Sequence, residues 1–454
     1  MSARNTVLDN LINILEEKKP LHIVLSQSLD RQSEEQDKRF ISRLTRACVE
    51  RALTLDTILN SYSSVKVKKM KPVIRNILRM GVCQILFMDS VTDFAACDES
   101  VKLTGKRGFR GLNGFVNGVL RSVCREKDKI ISGIENGVSS YKYSMPEWIV
   151  KLFDESFSAK ESEEAFKYFL SDNAIGFRCN TSVSDASLVK KSLMESGQQD
   201  KGSVQDNSYI DYCFSVSGAG SAAELKGFKE GQFVVQDFSS VLLGYLADAC
   251  YKAKLGEKSN TSSPAKVLDL CAAPGGKSMH MADMGYSVTS CDLTEAKCSL
   301  IREAAGRCGF KNVDVRVNDA TVYNESFESA FDIVICDLPC SGLGIIGKKP
   351  DIKYNASPEK CEELAALQKE ILKNAVKYLK PCGILMYSTC TLTKCENTDN
   401  YRFLTNELGL KGIPVKDKLP KGIEPENADD CYIVIRPGRY DSDGFFISCL
   451  ENGK

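Results

Sequence analysis

Two cysteines, each inside a short signature, are the residues of this chain best suited to covalent chemistry. Cys340 follows Asp337-Leu338-Pro339, Cys390 follows Ser388-Thr389, and a glycine-rich turn at residues 269–277 precedes both. A pyrimidine ring is alkylated at C5 only after a nucleophile has added to C6, and a cysteine thiolate is a suitable nucleophile. A methyl-donor turn combined with two cysteines in separate loops therefore suggests covalent methyl transfer to a base.

The turn itself favours S-adenosylmethionine over a dinucleotide. A dinucleotide site uses G-x-G-x-x-G, so that a pyrophosphate rests on a helix N-terminus, whereas this turn contains a proline and lacks the third glycine. S-adenosylmethionine has no phosphate groups and needs a close approach of the backbone to its amino-acid end. We therefore expect the cofactor to contact Cys271, Ala272, Ala273, Pro274, Gly275, Gly276 and Lys277.

Aspartates at the ends of predicted strands support the same interpretation. Asp292 ends the second strand and is suited to bind ribose hydroxyls, Asp319 ends the third and can face the adenine, and Asp337 ends the next one. Each of them alone is more often a cap or turn residue than a ligand. Because ligands of open α/β sheets bind at the carboxyl ends of the strands, the three together predict a cofactor site.

The composition is that of an ordinary globular protein. Of 454 residues, 43% are hydrophobic and 26% charged, no apolar run is long enough to span a membrane, and the N-terminus lacks a signal-peptide core. We therefore expect a cytoplasmic protein whose 19 cysteines are mostly reduced. No C-x-x-C pair occurs and His22 and His280 are the only histidines, so neither a metal site nor histidine catalysis is expected.

Charge is distributed unevenly, although the formal net charge is zero. Residues 1–130 carry 23 Lys and Arg against 15 Asp and Glu, so the remainder of the chain is acidic by the same margin. A basic module joined to a more acidic one fits a domain that grips a polyanion and is attached to a catalytic domain. A helical domain with a basic, solvated face remains an alternative on charge alone.

The hydrophobic pattern divides the chain into parts. Residues 1–130 have apolar side chains at helical spacing and predict an all-α domain. Residues 131–144 predict a linker, and residues 145–255 a small α+β subdomain. From 265 to 454 strands and helices alternate, with a long helix expected near 358–379. This rhythm predicts a Rossmann-like α/β domain with a mostly parallel sheet covered on both faces.

These segments resemble the RNA cytosine-C5 methyltransferases of the Nop/Sun group. The N-terminal part is similar to the NusB RNA-binding fold, and the middle part resembles the small mixed subdomain that precedes the catalytic domain in this group. The resemblance spans almost the whole chain and implies S-adenosylmethionine as cofactor and C5 of a cytosine in 16S rRNA as target. Nothing in the sequence requires more than a monomer. The motifs that carry the resemblance are Asn113–Arg121, Leu268–Lys277, Asp337–Gly344, Lys349–Tyr354, Tyr387–Thr391, Glu396-Asn397 and Asp443–Phe446.

The resemblance also implies roles for individual residues. Cys390 would be the nucleophile that adds to C6, Cys340 would assist release of the product, and Asp337 could hydrogen-bond the N3/N4 edge of the cytosine. Lys277 could supply positive charge that lowers the pKa of a thiol, or it could be a structural lysine at a helix start. The opposite assignment of the cysteines remains open, because the Pro-Cys cysteine is the nucleophile in DNA cytosine-5 methylases.

Two other functions remain as alternatives. A non-catalytic RNA-binding assembly factor would use only the NusB-like part, but the intact donor turn and both cysteines argue against it. A tRNA-specific relative would keep the chemistry and change the substrate, and the NusB-like part makes this less favoured. Binding of S-adenosylmethionine tests the first alternative, and the identity of the modified RNA tests the second.

Overall fold

The computed structural model describes residues 2–195, 203–218, 222–255, 263–424 and 431–453. The chain forms two compact units. The helical unit comprises residues 1–170 and the segment 346–356, and the sheet unit comprises residues 171–345 and 357–454. None of the described helices is long and apolar enough to cross a membrane.

Helices and strands are numbered along the chain. The α-helices are α1 (Ala3–Leu11), α2 (Leu21–Leu29), α3 (Glu35–Glu50), α4 (Ala52–Tyr62), α5 (Pro72–Phe87), α6 (Asp93–Lys106), α7 (Asn113–Arg125), α8 (Lys127–Glu135), α9 (Ser139–Lys142), α10 (Glu147–Ser156), α11 (Ala159–Leu170), α12 (Ala186–Glu195), α13 (Phe238–Leu255), α14 (Gly276–Asp283), α15 (Glu295–Cys308), α16 (Ile352–Asn355), α17 (Pro358–Tyr378) and α18 (Thr398–Arg402). The strands are β1 (Ile175–Cys179), β2 (Val204–Asp206), β3 (Cys213–Val216), β4 (Phe233–Val235), β5 (Lys266–Asp269), β6 (Ser287–Asp292), β7 (Val313–Val317), β8 (Phe331–Asp337), β9 (Leu379–Thr389), β10 (Leu410–Gly412), β11 (Tyr432–Ile435) and β12 (Phe445–Asn452).

The helical unit contains α5 as a largely buried helix. Pro72 occupies its first turn, where the missing N–H has no intrahelical partner to lose. Ile74, Ile77 and Leu78 recur at helical spacing and are buried. One core cluster joins buried side chains from α1 through α8. The all-α prediction for the N-terminal part is therefore confirmed.

The residues predicted as a linker, 131–144, are mostly helical. The end of α8 and all of α9 lie in this segment. Ile134 and Tyr143 are buried, so the segment is packed as part of the helical unit. Helices α10 and α11 also belong to this unit, although the sequence groups them with the predicted subdomain 145–255. The compact units therefore differ in extent from the predicted domains, and the domain division itself stays a prediction.

The segment 346–356 packs at the C-terminal end of α3. Lys353 is only 2% exposed and donates from Nζ to the carbonyl oxygen of Glu50 at 2.6 Å, while the Tyr354 hydroxyl donates to the carbonyl oxygen of Val49 at 2.8 Å. The last carbonyl groups of a helix lack intrahelical donors, so both side chains act as caps. Burial lowers the pKa of Lys353 to about 7.

The large sheet of the sheet unit has a Rossmann-like order. Its strands run β10-β12-β9-β8-β5-β6-β7, with β11 paired to β12. The pairs β9–β8, β8–β5, β5–β6 and β6–β7 are parallel, and β12 is antiparallel to its neighbours. The chain moves outward from β5 to β7 and then returns to β8 on the other side of β5. Ligands of such sheets bind at this reversal, beyond the carboxyl ends of β5 and β8.

Both faces of the large sheet are covered. Val267, Ile333 and Ile335 belong to a core cluster that includes α13, whereas their neighbours Leu268 and Val334 belong to a second cluster that includes α17. Successive strand residues point to opposite faces, so the apolar runs of β5 and β8 bury both sides. The predicted α/β fold class is confirmed.

A small antiparallel sheet, in the order β2-β3-β1-β4, belongs to the same unit. Arg178 of β1 is fully buried and donates from Nη1 to Asp283 Oδ2 at 2.6 Å, at the end of α14. Asp283 also accepts from the backbone N–H groups of Thr181 and Ser182. A buried carboxylate with these donors fixes the small sheet onto α14, because neither charge can be left unpaired without a large desolvation penalty.

Replacing Arg178 with methionine should lower the free energy of unfolding by roughly 3–5 kcal/mol, because Asp283 would keep its buried charge without its partner. The measurement is the urea unfolding midpoint followed by circular dichroism. Lys252→Ala is the control, since it breaks an ion pair whose lysine side chain is 70% exposed, and such pairs contribute about 1 kcal/mol or less. Equal midpoints for Arg178→Met and the wild type would show that the pair does not hold the small sheet.

Candidate active site

The contact between the two cysteines follows from the pairing of β8 with β9. These strands are parallel, and Asp337 at the end of β8 lies opposite Ser388 near the end of β9. The loops that follow therefore start side by side, and the Sγ atoms of Cys340 and Cys390 lie 3.3 Å apart. Both thiols are free and partly exposed, and their separation exceeds the roughly 2.05 Å of a disulfide bond.

Asp337 joins the cysteine loops to the donor turn. Its Oδ1 accepts a hydrogen bond from Ser388 Oγ at 2.7 Å, and its Oδ2 accepts one from Lys277 Nζ at 2.5 Å. Burial opposes the positive charge of Lys277, but the carboxylates of Asp337 and Asp269 outweigh this effect and raise the pKa of the ammonium. The structure therefore brings a cation next to Asp337, and this cation also interacts electrostatically with Cys390.

The two thiols have different surroundings. Contact with the sulfur of Cys390 and burial raise the pKa of Cys340 well above its usual value, and the carboxylates of Glu396 and Asp337 act in the same direction. Negative charge at Cys340 is therefore disfavoured. We therefore expect Cys340 to stay a neutral thiol at physiological pH, and the nearby cation Lys277 interacts with Cys390 instead.

The donor turn is held at the carboxyl end of β5. Gly275 has a φ of +107°, in the left-handed region that favours glycine, and it immediately precedes α14. The backbone N–H of Ala273 donates to Asp292 Oδ2 at 3.0 Å, which ties the turn to the end of β6. Cys271 at the start of the turn is partly buried, and burial raises the pKa of its thiol. The predicted cofactor contacts of residues 271–277 stay predictions.

The carboxylates around the turn fit S-adenosylmethionine. Asp269 interacts electrostatically with both Asp292 and Asp337, and the cofactor carries a sulfonium and an ammonium group. Asp292 Oδ2 accepts one hydrogen bond from the described residues, from Ala273, and so has acceptor capacity left for a ribose hydroxyl. Asp269 Oδ1 is buried and has no hydrogen-bond partner within the described part of the chain. These carboxylates suit a ligand that carries positive charge and ribose hydroxyls.

Asp319 is placed differently from the other aspartates. It is exposed beyond the end of β7, and its Oδ1 accepts from the hydroxyl and the backbone N–H of Thr321 at 2.6 and 2.9 Å. These hydrogen bonds lower the pKa of Asp319 and make it a turn cap. The preceding Asn318 donates its N–H to the carbonyl oxygen of Asp292 at 3.0 Å. The predicted contact of Asp319 with adenine stays a prediction.

The motif Glu396-Asn397 has no predicted role of its own. Glu396 is fully buried and accepts from the Ser341 backbone N–H at 2.8 Å and from Thr393 Oγ1 at 2.7 Å. Asn397 accepts from Thr389 Oγ1 and donates to the Thr391 carbonyl oxygen. Glu396 therefore joins the loop of Cys340 to the loop of Cys390. The sequence shows an acidic residue within a threonine-rich loop, which is the signal that could have indicated a role for Glu396. That this side chain is buried depends on the fold.

Close backbone packing supports the same loops. A Cβ atom at Gly344 would lie 2.1 Å from the carbonyl oxygen of Gly444 and 2.9 Å from that of Cys390, so only glycine fits there. The Gly344 N–H donates to the Cys390 carbonyl oxygen at 2.9 Å, and the Gly444 N–H donates to the Gly344 carbonyl oxygen at 2.9 Å. Among the described residues, no group of three or more His, Cys, Asp or Glu side chains could hold a metal ion.

The sheet order, the donor turn and the carboxylates define a Rossmann-like, S-adenosylmethionine-dependent methyltransferase. Residues 259–451 match the family model for the 16S rRNA methyltransferase RsmB/F, and residues 1–125 match the NusB family. The chain is 32% identical to the probable ribosomal RNA small subunit methyltransferase B of Bacillus subtilis (strain 168), over 99% of this chain and 98% of the relative. It therefore belongs to the RsmB/F family of 16S rRNA methyltransferases, and its N-terminal part belongs to the NusB family.

Further similarities agree with this family. The corresponding protein of Synechocystis sp. (strain ATCC 27184 / PCC 6803 / Kazusa) is 28% identical over 91% of each chain. The crystal structure of PH0851 has a TM-score of 0.78 and 23% identity, covering 99% of this chain and 98% of that one. NSun6 from Pyrococcus horikoshii with SFG has a TM-score of 0.56 and 18% identity, covering 68% and 98%. At these identities the two structures show a shared fold.

The buried Asp269 should give the stability a measurable pH dependence. Burial raises its pKa to about 7 in the folded state, against about 3.9 in an unfolded chain. Between these values the folded protein holds a proton that the unfolded chain has lost, so this contribution to stability is complete below pH 4 and lost as pH rises through 7. It amounts to roughly 1.4 kcal/mol for each unit of the shift.

Asp269→Asn removes this titration and keeps an acceptor for Ser278 Oγ, which lies 2.7 Å from Asp269 Oδ2. We expect the stability of the variant to rise relative to the wild type between pH 4.5 and 7.5, as measured by urea unfolding at several pH values without cofactor. Asp314→Asn, at an exposed position of β7, is the control. A constant difference between Asp269→Asn and the wild type over this range would contradict the raised pKa.

Proposed function

We propose that this protein methylates C5 of a cytosine in 16S rRNA through a covalent bond between Cys390 Sγ and C6 of the base. The observation that carries the proposal is the 3.3 Å contact between Cys340 and Cys390 at the carboxyl end of the sheet. A single thiolate cannot conveniently attack the base and also assist its own departure. Two thiols in contact, with unequal surroundings, supply both roles.

Cys390 acts first in this scheme. Its thiolate, attracted by Lys277, adds to C6 and makes C5 electron-rich. Residues 271–277, Asp292 and Asp319 would hold S-adenosylmethionine. When bound there, the cofactor supplies the electrophilic methyl group for C5. In this scheme Asp337 hydrogen-bonds the N3/N4 edge of the ring, and Ser388 and Lys277 hold its carboxylate at the end of β8.

Release requires the C5 proton to leave and the C6–S bond to break. The proton passes to water, and the electron pair of the C6–S bond returns to the Cys390 sulfur as a thiolate. Cys340 assists as a neutral thiol that donates a hydrogen bond to this sulfur, since its pKa is raised well above its usual value by contact with Cys390 and by burial. The starting state of both cysteines is then restored.

The attack on C6 comes from the face of the ring, so the target base must leave its stack. Single-stranded or looped RNA provides such bases at low cost, and the basic NusB-family part supplies charge for binding the backbone. The proposal also includes a monomer acting on rRNA in the cytoplasm.

The cysteine roles are tested with RNA that contains 5-fluorocytosine, which cannot lose a proton from C5 and so holds the adduct. We expect Cys390→Ala to form no covalent protein–RNA complex on denaturing gels, because it lacks the attacking sulfur. Cys340→Ala should form the complex, and with ordinary cytosine it should accumulate it. Cys395→Ala, at a partly buried cysteine of the same loop, is the control. An adduct formed by Cys390→Ala would make Cys340 the nucleophile.

The substrate is tested by bisulfite sequencing of rRNA and tRNA from cells with and without this protein. We expect one cytosine of 16S rRNA to lose its protection from deamination when the protein is absent, and to regain it with the wild-type gene but not with Cys390→Ala. Unchanged rRNA together with a newly unprotected tRNA cytosine would instead support the tRNA-specific alternative.

A further inference from the structure

The two peptide groups that flank Cys340 are both held by buried side chains. The Pro339 carbonyl oxygen accepts from Gln368 Nε2 at 2.8 Å, and the Ser341 N–H donates to Glu396 Oε1 at 2.8 Å. Gln368 and Glu396 are fully buried, and Gln368 Nε2 also lies 3.2 Å from Glu396 Oε1. The backbone of Cys340 is therefore fixed on each side by one connected pair of side chains.

Glu396 belongs to the opposite loop. It follows β9 and Cys390, and its Oε2 accepts from Thr393 Oγ1 at 2.7 Å within that loop and from Ser341 Oγ at 2.5 Å across to the loop of Cys340. Each carboxylate oxygen thus has two donors. No exposed atom of the pair is involved, so water cannot replace these hydrogen bonds without opening the site.

We propose that Glu396 is a positioning residue that holds the Cys340 thiol against Cys390 and thereby governs release of the methylated base. Glu396 reaches neither sulfur through a hydrogen bond of the described chain; it acts through the Ser341 N–H and hydroxyl. The inference rests on the proposed function, because it presumes that Cys340 assists release. It adds a residue that is required for one step of the reaction and not for the attack on C6.

Electrostatics favours the same division. The carboxylate of Glu396 is among the groups that raise the pKa of Cys340, after the contact with Cys390 and burial. It therefore helps to keep Cys340 protonated and able to donate a hydrogen bond to the departing sulfur. Lys277 interacts with Cys390 and Asp337. The negative charge of Glu396 thus acts on Cys340, whereas the positive charge of Lys277 acts on Cys390.

Substitutions at Glu396 can separate hydrogen bonding from charge. In Glu396→Gln the amide oxygen can still accept from Ser341 N–H and Gln368, and the amide nitrogen can donate to the Ser341 and Thr393 hydroxyls, which rotate to accept. Glu396→Leu removes all four acceptor contacts and leaves the Ser341 N–H buried without a partner. Ser341→Ala is milder, since it removes the hydroxyl contact and keeps the backbone one.

The experiment uses the full-length enzyme, tritiated S-adenosylmethionine and 16S rRNA transcribed in vitro with ordinary cytosine. It measures turnover and the fraction of enzyme held in a covalent complex. We expect Glu396→Leu to reduce turnover roughly 100-fold, as a displacement of about 1 Å can, and to accumulate the complex as Cys340→Ala does. Glu396→Gln should stay within about threefold of wild type. The exposed Glu363→Gln on α17 is the control.

Each result decides the inference. Accumulation in Glu396→Leu, restored to wild-type behaviour by glutamine, supports it, and so does accumulation in Ser341→Ala. Normal turnover in Glu396→Leu, or slow turnover without accumulated complex, overturns it. If Glu396→Leu does not fold, wild-type release by Ser341→Ala overturns it. If Cys340→Ala itself accumulates no complex, the proposed role of Cys340 is wrong and the inference falls with it; accumulation in Cys340→Ala alone refutes only the role of Glu396.

Discussion

The parallel pairing of β8 with β9 is the constraint on which the site depends. Asp337 lies opposite Ser388, and this register places the two cysteine loops side by side. At the other end of the pair the register shifts, because Phe331 is opposite Leu379 but Ile333 is opposite Ile384. The extra residues of β9 lie at this irregularity, and a strand displaced by one residue would turn every side chain to the other face. The end that carries the cysteine loops is in register because the bulge absorbs the difference.

Charge distribution is the second organising feature of the site. Lys277 lies 2.5 Å from Asp337, and it interacts with Asp269 and Cys390 as well. One buried cation thus links the donor turn, a strand end and a thiol. If Lys277 moved away from the site, its ion pairs with the carboxylates would break. Such pairs are strong where the surroundings have a low dielectric constant. The ion pair with Asp337 gives Lys277 a structural effect, and its predicted effect on the pKa of a thiol stays a prediction.

The fold class and the position of the donor turn could be predicted from sequence because each depends on short-range pattern. Strand–helix alternation fixes the parallel sheet, and parallel strand ends meet at one edge. Glu396, Gln368 and Arg178 could not be assigned in this way. All three are charged or polar residues of types that are mostly exposed, and only the packing of distant segments buries them. Asp319 follows a strand as predicted, and its hydrogen bonds with Thr321 show that it also caps the turn.

The segment 346–356 shows why sequence boundaries and compact units differ in this protein. Its charged motif, Lys349–Tyr354, lies between the Cys340 loop and α17 in the sequence, yet it packs in the helical unit. Lys353 and Tyr354 donate hydrogen bonds to the carbonyl oxygens of Glu50 and Val49 at the end of α3. A lysine is seldom buried unless it has partners. The buried position of Lys353 therefore requires hydrogen-bond acceptors on the surface against which it packs. The helical unit therefore includes a distant part of the chain, although most of its core comes from the residues that match the NusB family.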